Sequence, residues 1–185
     1  LAELLLARGN TVSGSDRFLD QGRDLEVLRT LERAGLRLNP QDGSGVQPGL
    51  TAVAVSSAIE PDNPDLQEAH RRGIPVLHRA TLLAQLAQAH RCIAVAGTAG
   101  KTTTTGLLGW LLEQLGADPT VVNGGVVLNW AAPDRLGAVR TGQSDLWVLE
   151  VDESDRSLLE FQPAWALVTN AGRDHFEFSE IIELF

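Results

Sequence analysis

Apolar and polar positions fall into blocks that alternate between helical and strand spacing along the whole chain. Residues 1–8 place apolar side chains at helical intervals and stop at Gly9, a residue that commonly closes a helix in the left-handed conformation. TVSGSD (11–16) predicts a short buried strand. In DLEVLRTLERAG (24–35), Leu25, Leu28 and Leu31 recur at helical spacing before Gly35. LRLN comes next, then a loop rich in Gly and Pro over 39–49, and TAVAV (51–55) predicts a strand. Asn63 and Pro64 supply a cap and a first-turn proline for a helix that runs to Arg72 and ends at Gly73. IPVL (74–77) predicts a strand, and ATLLAQLAQAH (80–90) an amphipathic helix.

The alternation continues past His90. RCIAVAG (91–97) predicts a strand, GTAGKTTTT a loop, and TGLLGWLLEQLG (105–116) a helix with Trp110 and its leucines in the core. PTVV (119–122), DLWVLEVDE (145–153) and AWALVTN (164–170) predict three more strands, and 129–143, with Pro133, Gly137 and Gly142, a long surface loop. Strands alternating with helices imply right-handed crossovers and an α/β fold with mostly parallel strands covered on both faces. One helix is complete at His90 and a strand with its own phosphate motif starts at Arg91. The expected domains are therefore 1–90 and 91–185.

Composition narrows the function classes. With 43% hydrophobic and 21% charged residues in 185, a packed core is within reach. Apolar runs stay well short of the roughly 18 residues of a membrane helix, and LAELLLARGN has neither a basic leader nor a cleavage site. A soluble, cytoplasmic protein without membrane insertion is expected. Fifteen Lys and Arg against 24 Asp and Glu give a net charge of −9, which argues against nucleic acid as a partner. A homo-oligomer stays open. Cys92 has no second cysteine to pair with, and His70, His78, His90 and His175 lack zinc-like spacing with it. Cys92, His70, His78 and His90 are expected to be structural. The chain has no Met, begins in mid-pattern at Leu1 and stops at IIELF, so a fragment of a longer protein is expected.

The strongest chemical signal is IAVAGTAGKTTTT (93–105): an apolar strand, a Gly-rich turn, a lysine, threonines and an apolar helix. Gly97 and Gly100 let backbone N–H groups turn toward a phosphate, and the helix N-terminus adds its dipole. Lys101 reaches terminal phosphates and the Thr102 hydroxyl can ligate magnesium. Val95 stands where the usual phosphate-loop pattern has its first Gly, so this is a shorter GxxGKT variant. The plain alternative, a Gly-rich turn with a surface lysine, does not explain why strand, loop and helix come in the required order. The cofactor-binding candidates are Gly97, Thr98, Ala99, Gly100, Lys101, Thr102 and Thr103.

A metal partner is expected at the end of another strand. LWVLEVDESD ends in Glu150, Asp152, Glu153 and Asp155, and carboxylates at a strand's carboxyl end face the crevice where ligands bind in open parallel sheets. Glu150 is the candidate beside Thr102; an acidic solvated turn is the alternative. AWALVTN ends in Asn170 and leads to Asp174 and His175. In the first half, Ser15 and Asp16 end one strand and Ser56 and Ser57 another, the places where nucleotide folds put polar contacts to a ribose, and where turns use the same residues.

Taken together, these segments resemble the Mur ligase family. Residues 96–105 match its GT-x-GKTTTT loop, 150–155 its E-A-D-E-S-D, and 169–175 its T-N-x-x-x-D-H. VSGSD, SSAI with NP, GIPVLHRA and DPTVVNGG are similar to the branch that joins L-alanine to UDP-N-acetylmuramate. The departures are Ala99 for a usual His, Val151 for Ala, and FEFSE after His175 in place of L-D-x-Y.

The resemblance implies an ATP-dependent, ADP-forming amide ligase of peptidoglycan precursor synthesis that works through an acyl phosphate. It implies MgATP on a central phosphate-loop domain and the UDP-sugar on a Rossmann-like N-terminal domain whose first strand precedes Leu1. A C-terminal domain presenting L-alanine would follow Phe185, so the 185 residues by themselves are expected to be inactive. Lys101, Glu150 and His175 would be catalytic. Thr102 and Glu150 would hold one magnesium ion and His175 a second. Ser15, Asp16, Ser56, Ser57, Asn123 and Gly124 would bind the UDP-sugar. Two other readings remain: a ligase that recycles murein tripeptide onto the same sugar nucleotide, whose acidic motif more usually has Tyr at the position of Ser154, and a phosphate-loop module without ligase activity.

Overall fold

Residues 1–23, 25–152 and 157–172 are described by the computed structural model, and they fall into two units, Leu1–Leu82 and Leu83–Phe185. The first unit contains α1 (Ala2–Ala7), β1 (Ser13–Gly14), α2 (Arg17–Asp20), α3 (Glu26–Arg33), β2 (Arg37–Leu38), β3 (Val53–Val55), α4 (Pro64–Arg72) and β4 (Val76–His78). Helix α5 (Arg79–Ala87) runs across the division. Parallel strands cannot be joined by a tight turn. Accordingly β1 pairs with β2 through the α2–α3 segment, and β3 with β4 through α4, all in parallel register.

Local chemistry sets these boundaries. Asn63 accepts from the N–H groups of Asp65 and Leu66 at 3.0 and 3.2 Å, Pro64 occupies the first turn, and Gly73 ends α4 in the left-handed region. The sequence pattern gave no hint of α2. It forms because Asp16 Oδ1 accepts from Phe18 and Leu19 N–H at 2.8 and 3.4 Å. Leu4, Leu36, Val46 and Ala69 are buried in this unit.

The second unit holds β5 (Arg91–Ala96), α6 (Lys101–Gln114), β6 (Thr120–Val122), a 3-10 turn (Leu128–Trp130), β7 (Val139–Arg140), β8 (Leu146–Glu150), a second 3-10 turn (Ser157–Glu160) and β9 (Trp165–Val168). Its strands lie in the order β7-β6-β8-β5-β9, parallel except for β7 against β6. In the register, Val95 faces Glu150 and Ala96 faces Val168, so β5, β8 and β9 end at one edge. Val95, Val121 and Val148 are fully buried, with Trp130, Ile93, Leu108, Trp110, Leu112 and Val127 packed around them. Each such valine contributes about 1.5–3 kcal/mol of burial.

Three expectations change here. The surface loop over 129–143 contains β7, an antiparallel edge strand held because Val139 is buried and pairs with Val122. Helix α6 begins at Lys101, not Thr105, because Gly100 at φ +82 caps it and takes the Thr104 N–H at 2.9 Å. The leucines of α6 are not all core: Leu107 and Leu111 are exposed, as is Leu115 just after the helix, while Leu108 and Leu112 pack inward. The face of α6 turned to the sheet is made by Thr105, Gly106 and Gly109. These small residues let the helix backbone approach Val121, Val127 and Trp130 closely.

Candidate functional site

Four segments meet at the carboxyl edge of the second sheet: the loop after β5, the first turn of α6, residues 123–125 after β6, and Glu150 at the end of β8. Gly97 leaves β5 at φ +123, and a Cβ there would lie 2.3 Å from Thr169 Oγ1 and 2.8 Å from the Asn170 carbonyl. Both the backbone angle and the packing require glycine. The N–H groups of the first turn of α6 lack carbonyl partners within the helix and present positive charge to an anion. The Lys101 ammonium lies over the loop and donates to Gly97 O at 2.7 Å.

Thr102 and Glu150 come together across the site. The threonine hydroxyl donates to Glu150 Oε1 at 2.8 Å, and Gly124 N–H donates to Glu150 Oε2 at 2.6 Å. Asn123 supports this loop from inside: it is 8% exposed, its N–H donates to Ala138 O at 2.9 Å, and its Nδ2 donates to Gly125 O at 3.1 Å. Its Oδ1 is buried without a hydrogen-bond partner among the described residues. Thr103 is exposed on the same first turn.

Behind β6, the Trp130 indole donates to Glu113 at 2.7 Å, and Arg140 pairs with Glu113 at 2.9 Å and Asp118 at 2.7 Å. Burial pushes the Glu113 carboxyl up, but the donors Trp130 and Arg140 outweigh it and hold it below its ordinary value. At the other end of the strands, burial and then the nearby Asp145 charge push the Cys92 thiol up to about 11, as suits a structural cysteine.

The four candidates of the first half lie in the first unit. Ser15 donates its hydroxyl to Asp65, which also accepts from Gly43 N–H at 2.8 Å. Asp16 caps α2, the Ser56 backbone carbonyl accepts from Ile59 N–H at 3.2 Å, and Ser57 is exposed in the turn after β3. Glu153, Ser154, Asp155, Asp174 and His175 lie outside the described residues. Sequence reasoning gave no task to Thr169 and Asn170, which hydrogen-bond to the loop after β5 in the structure. Their place directly after a strand was the available signal.

Comparison with known proteins follows the same segments. The model described as "Mur ligase family, catalytic domain" matches residues 1–91, and the one described as "Mur ligase middle domain" matches residues 95–184. The chain belongs to the Mur ligase family. UDP-N-acetylmuramate–L-alanine ligase of Gloeobacter violaceus is 44% identical to this Mur ligase over 190 residues, covering 100% of the chain and 39% of that protein. Among solved structures, UDP-N-acetylmuramate-alanine ligase from Thermotoga maritima superposes with a TM-score of 0.84 at 26% identity, over 99% of this chain and 42% of that one. UDP-N-acetylmuramate:L-alanyl-gamma-D-glutamyl-meso-diaminopimelate ligase from Neisseria meningitides shares the fold, with a TM-score of 0.83 at 23% identity over 98% of this chain and 60% of that one. The chain thus spans about two fifths of the length of the curated relatives it matches. Among the described residues, no helix is long and apolar enough to cross a membrane.

Proposed function

We propose that this chain forms the sugar-nucleotide and ATP-binding parts of a cytoplasmic, ADP-forming ligase that joins L-alanine to the carboxylate of UDP-N-acetylmuramate in peptidoglycan precursor synthesis. Residues 1–90 bind the UDP-sugar, with Ser15, Asp16, Ser56 and Ser57 on that side, and residues 91–185 bind MgATP. The observation that carries this reading is the meeting of Thr102 and Glu150 at 2.8 Å beside the N-terminus of α6. Identity of 39–44% over 99% or more of the chain to relatives named for this reaction supports it.

The donor set fits magnesium. A hydroxyl and a carboxylate are hard oxygen ligands. Among the described residues no three acidic, histidine or cysteine side chains gather, which suits a cation completed by phosphate oxygens and water. Thr102 and Glu150 would hold that ion, and His175, by resemblance, a second. When bound, the metal offsets the repulsion between a triphosphate and an approaching carboxylate.

The chain's own residues supply the rest. Gly97, Thr98, Ala99 and Gly100 shape the turn, and the N–H groups of Lys101, Thr102 and Thr103 face the phosphates. Lys101 exchanges the Gly97 carbonyl for a terminal phosphate oxygen and neutralises charge that builds there. Asn123 and Gly124 line the side from which the muramyl carboxylate arrives. A carboxylate oxygen attacks the terminal phosphorus and the bond to ADP breaks. The amine of L-alanine then attacks the acyl carbon, loses a proton, and phosphate leaves with the oxygen it gained. The tripeptide-recycling alternative is the less supported reading, since the likenesses to ligases of that kind stand at 23% and 26% identity, against the 39–44% shared with relatives named for L-alanine.

The test is ADP release by the full-length protein with MgATP, UDP-N-acetylmuramate and either single amino acids or the murein tripeptide. L-Alanine is expected to support turnover. Turnover with the murein tripeptide but not with L-alanine contradicts the assignment.

A further inference from the structure

We propose that Asn170 is a positioning residue that holds the phosphate loop in its nucleotide-binding shape; this rests on the reading of that loop as the ATP site. The parallel ladder between β5 and β9 runs from Ile93–Trp165 to Ala96–Val168, and the Thr169 N–H extends it by donating to Ala96 O at 3.0 Å. At Gly97 the β5 backbone turns away. Asn170 continues the pairing by other means. Its carbonyl accepts from Thr98 N–H at 3.2 Å, its Oδ1 accepts from Ala99 N–H at 3.0 Å, and its Nδ2 donates to Ala99 O at 2.7 Å. The side-chain amide therefore meets both polar groups of Ala99 as a neighbouring strand would.

Adjacent contacts reinforce the strap. Thr169 donates its hydroxyl to Ala99 O at 2.6 Å, and Thr98 Oγ1 exchanges hydrogen bonds with Gly172 O and N at 3.1 and 2.9 Å. Ala96, Thr98 and Ala99 are thus tied to 169–172, directly after the neighbouring strand. One consequence concerns the donors. Thr98 and Ala99 N–H are committed to Asn170, so the groups that meet a phosphate are those at the start of α6. A second concerns entropy: a loop of Gly, Thr, Ala and Gly held in place beforehand loses little freedom when the nucleotide binds. Aspartate has no donor for Ala99 O, and serine is too short to reach it.

The experiment compares full-length wild type with Asn170→Ala, measuring MgATP and UDP-N-acetylmuramate affinity by calorimetry and both KM for ATP and kcat. Loss of one or two hydrogen bonds and of the preset loop is expected to weaken MgATP binding by about tenfold. KM for ATP should rise in step, with kcat at saturating ATP changing less than about threefold and UDP-sugar affinity unchanged. Asn170→Ser carries the same expectation if the alanine variant does not fold. MgATP affinity within twofold of wild type overturns the proposal, as does an equal loss of affinity for both ligands. Failure of the wild type itself to bind MgATP overturns the phosphate-loop reading instead.

Discussion

Gly124 and Glu150 are matched to one another at close range. The Gly124 N–H reaches Glu150 Oε2 at 2.6 Å, and a Cβ on Gly124 would stand 2.7 Å from both carboxylate oxygens. The loop after β6 therefore aims the carboxylate at Thr102, and a larger residue at 124 has to displace that carboxylate.

This contact predicts a metal phenotype for Gly124→Ala. The added methyl must push Glu150 away from Thr102, so the magnesium concentration for half-maximal turnover of the full-length enzyme should rise by about tenfold or more. The thermal midpoint should fall by no more than about 4 °C, because the clash is with the free end of a half-buried side chain. An unchanged magnesium dependence with a large drop in midpoint would mean that the loop serves folding only.

Lys101 is expected to act on nucleotide and not on stability. Its ammonium touches Gly97 O within the loop, a contact that water can replace. Lys101→Ala should weaken MgATP binding by about tenfold or more, from loss of a charge-assisted hydrogen bond of roughly 1.5–3 kcal/mol. Normal ATP affinity in this variant would contradict the loop assignment.

The Glu113 network predicts how stability responds to acid. The folded carboxyl titrates below its ordinary value, so its contribution is present above the unfolded value of about 4.3 and is lost as pH falls through the lower folded value. In urea unfolding, wild type should be more stable than Glu113→Gln near pH 6, and the gap should shrink steadily below about pH 4.5. A gap that does not change with pH would show that Trp130 and Arg140 do not favour the charged form.

Much of the second unit was legible in the sequence because 93–105 pass from an apolar run through a Gly-rich turn into a helical run, and the structure has β5, a loop and α6 in that order. Glu150 was legible for a related reason, since a carboxylate ending an apolar strand has few places to go but the crevice. The α6 leucines misled because helical spacing marks a stripe without saying which stripe faces the sheet. Here Gly106 and Gly109 make the close contact and Leu107 and Leu111 point outward. Strand β7 was hidden because two residues cannot display an alternation. The Thr run disguised the start of α6, as β-branched residues have modest helix propensity and a glycine cap outweighed it. In the first unit, Asp16 caps a helix, a local task that the same residue type performs in any turn, whereas Ser15 binds Asp65 far along the chain, a partner that no local pattern names.

The chemistry assigned to the Thr102–Glu150 site is tested most directly by following oxygen. Full-length protein would be given MgATP, L-alanine and UDP-N-acetylmuramate labelled with ¹⁸O in both carboxylate oxygens, and the products weighed by mass spectrometry. If that carboxylate attacks the terminal phosphate of ATP, the released phosphate carries one labelled oxygen and the new amide keeps the other. Amide formed alongside wholly unlabelled phosphate, or no amide and no ADP at all, would contradict it.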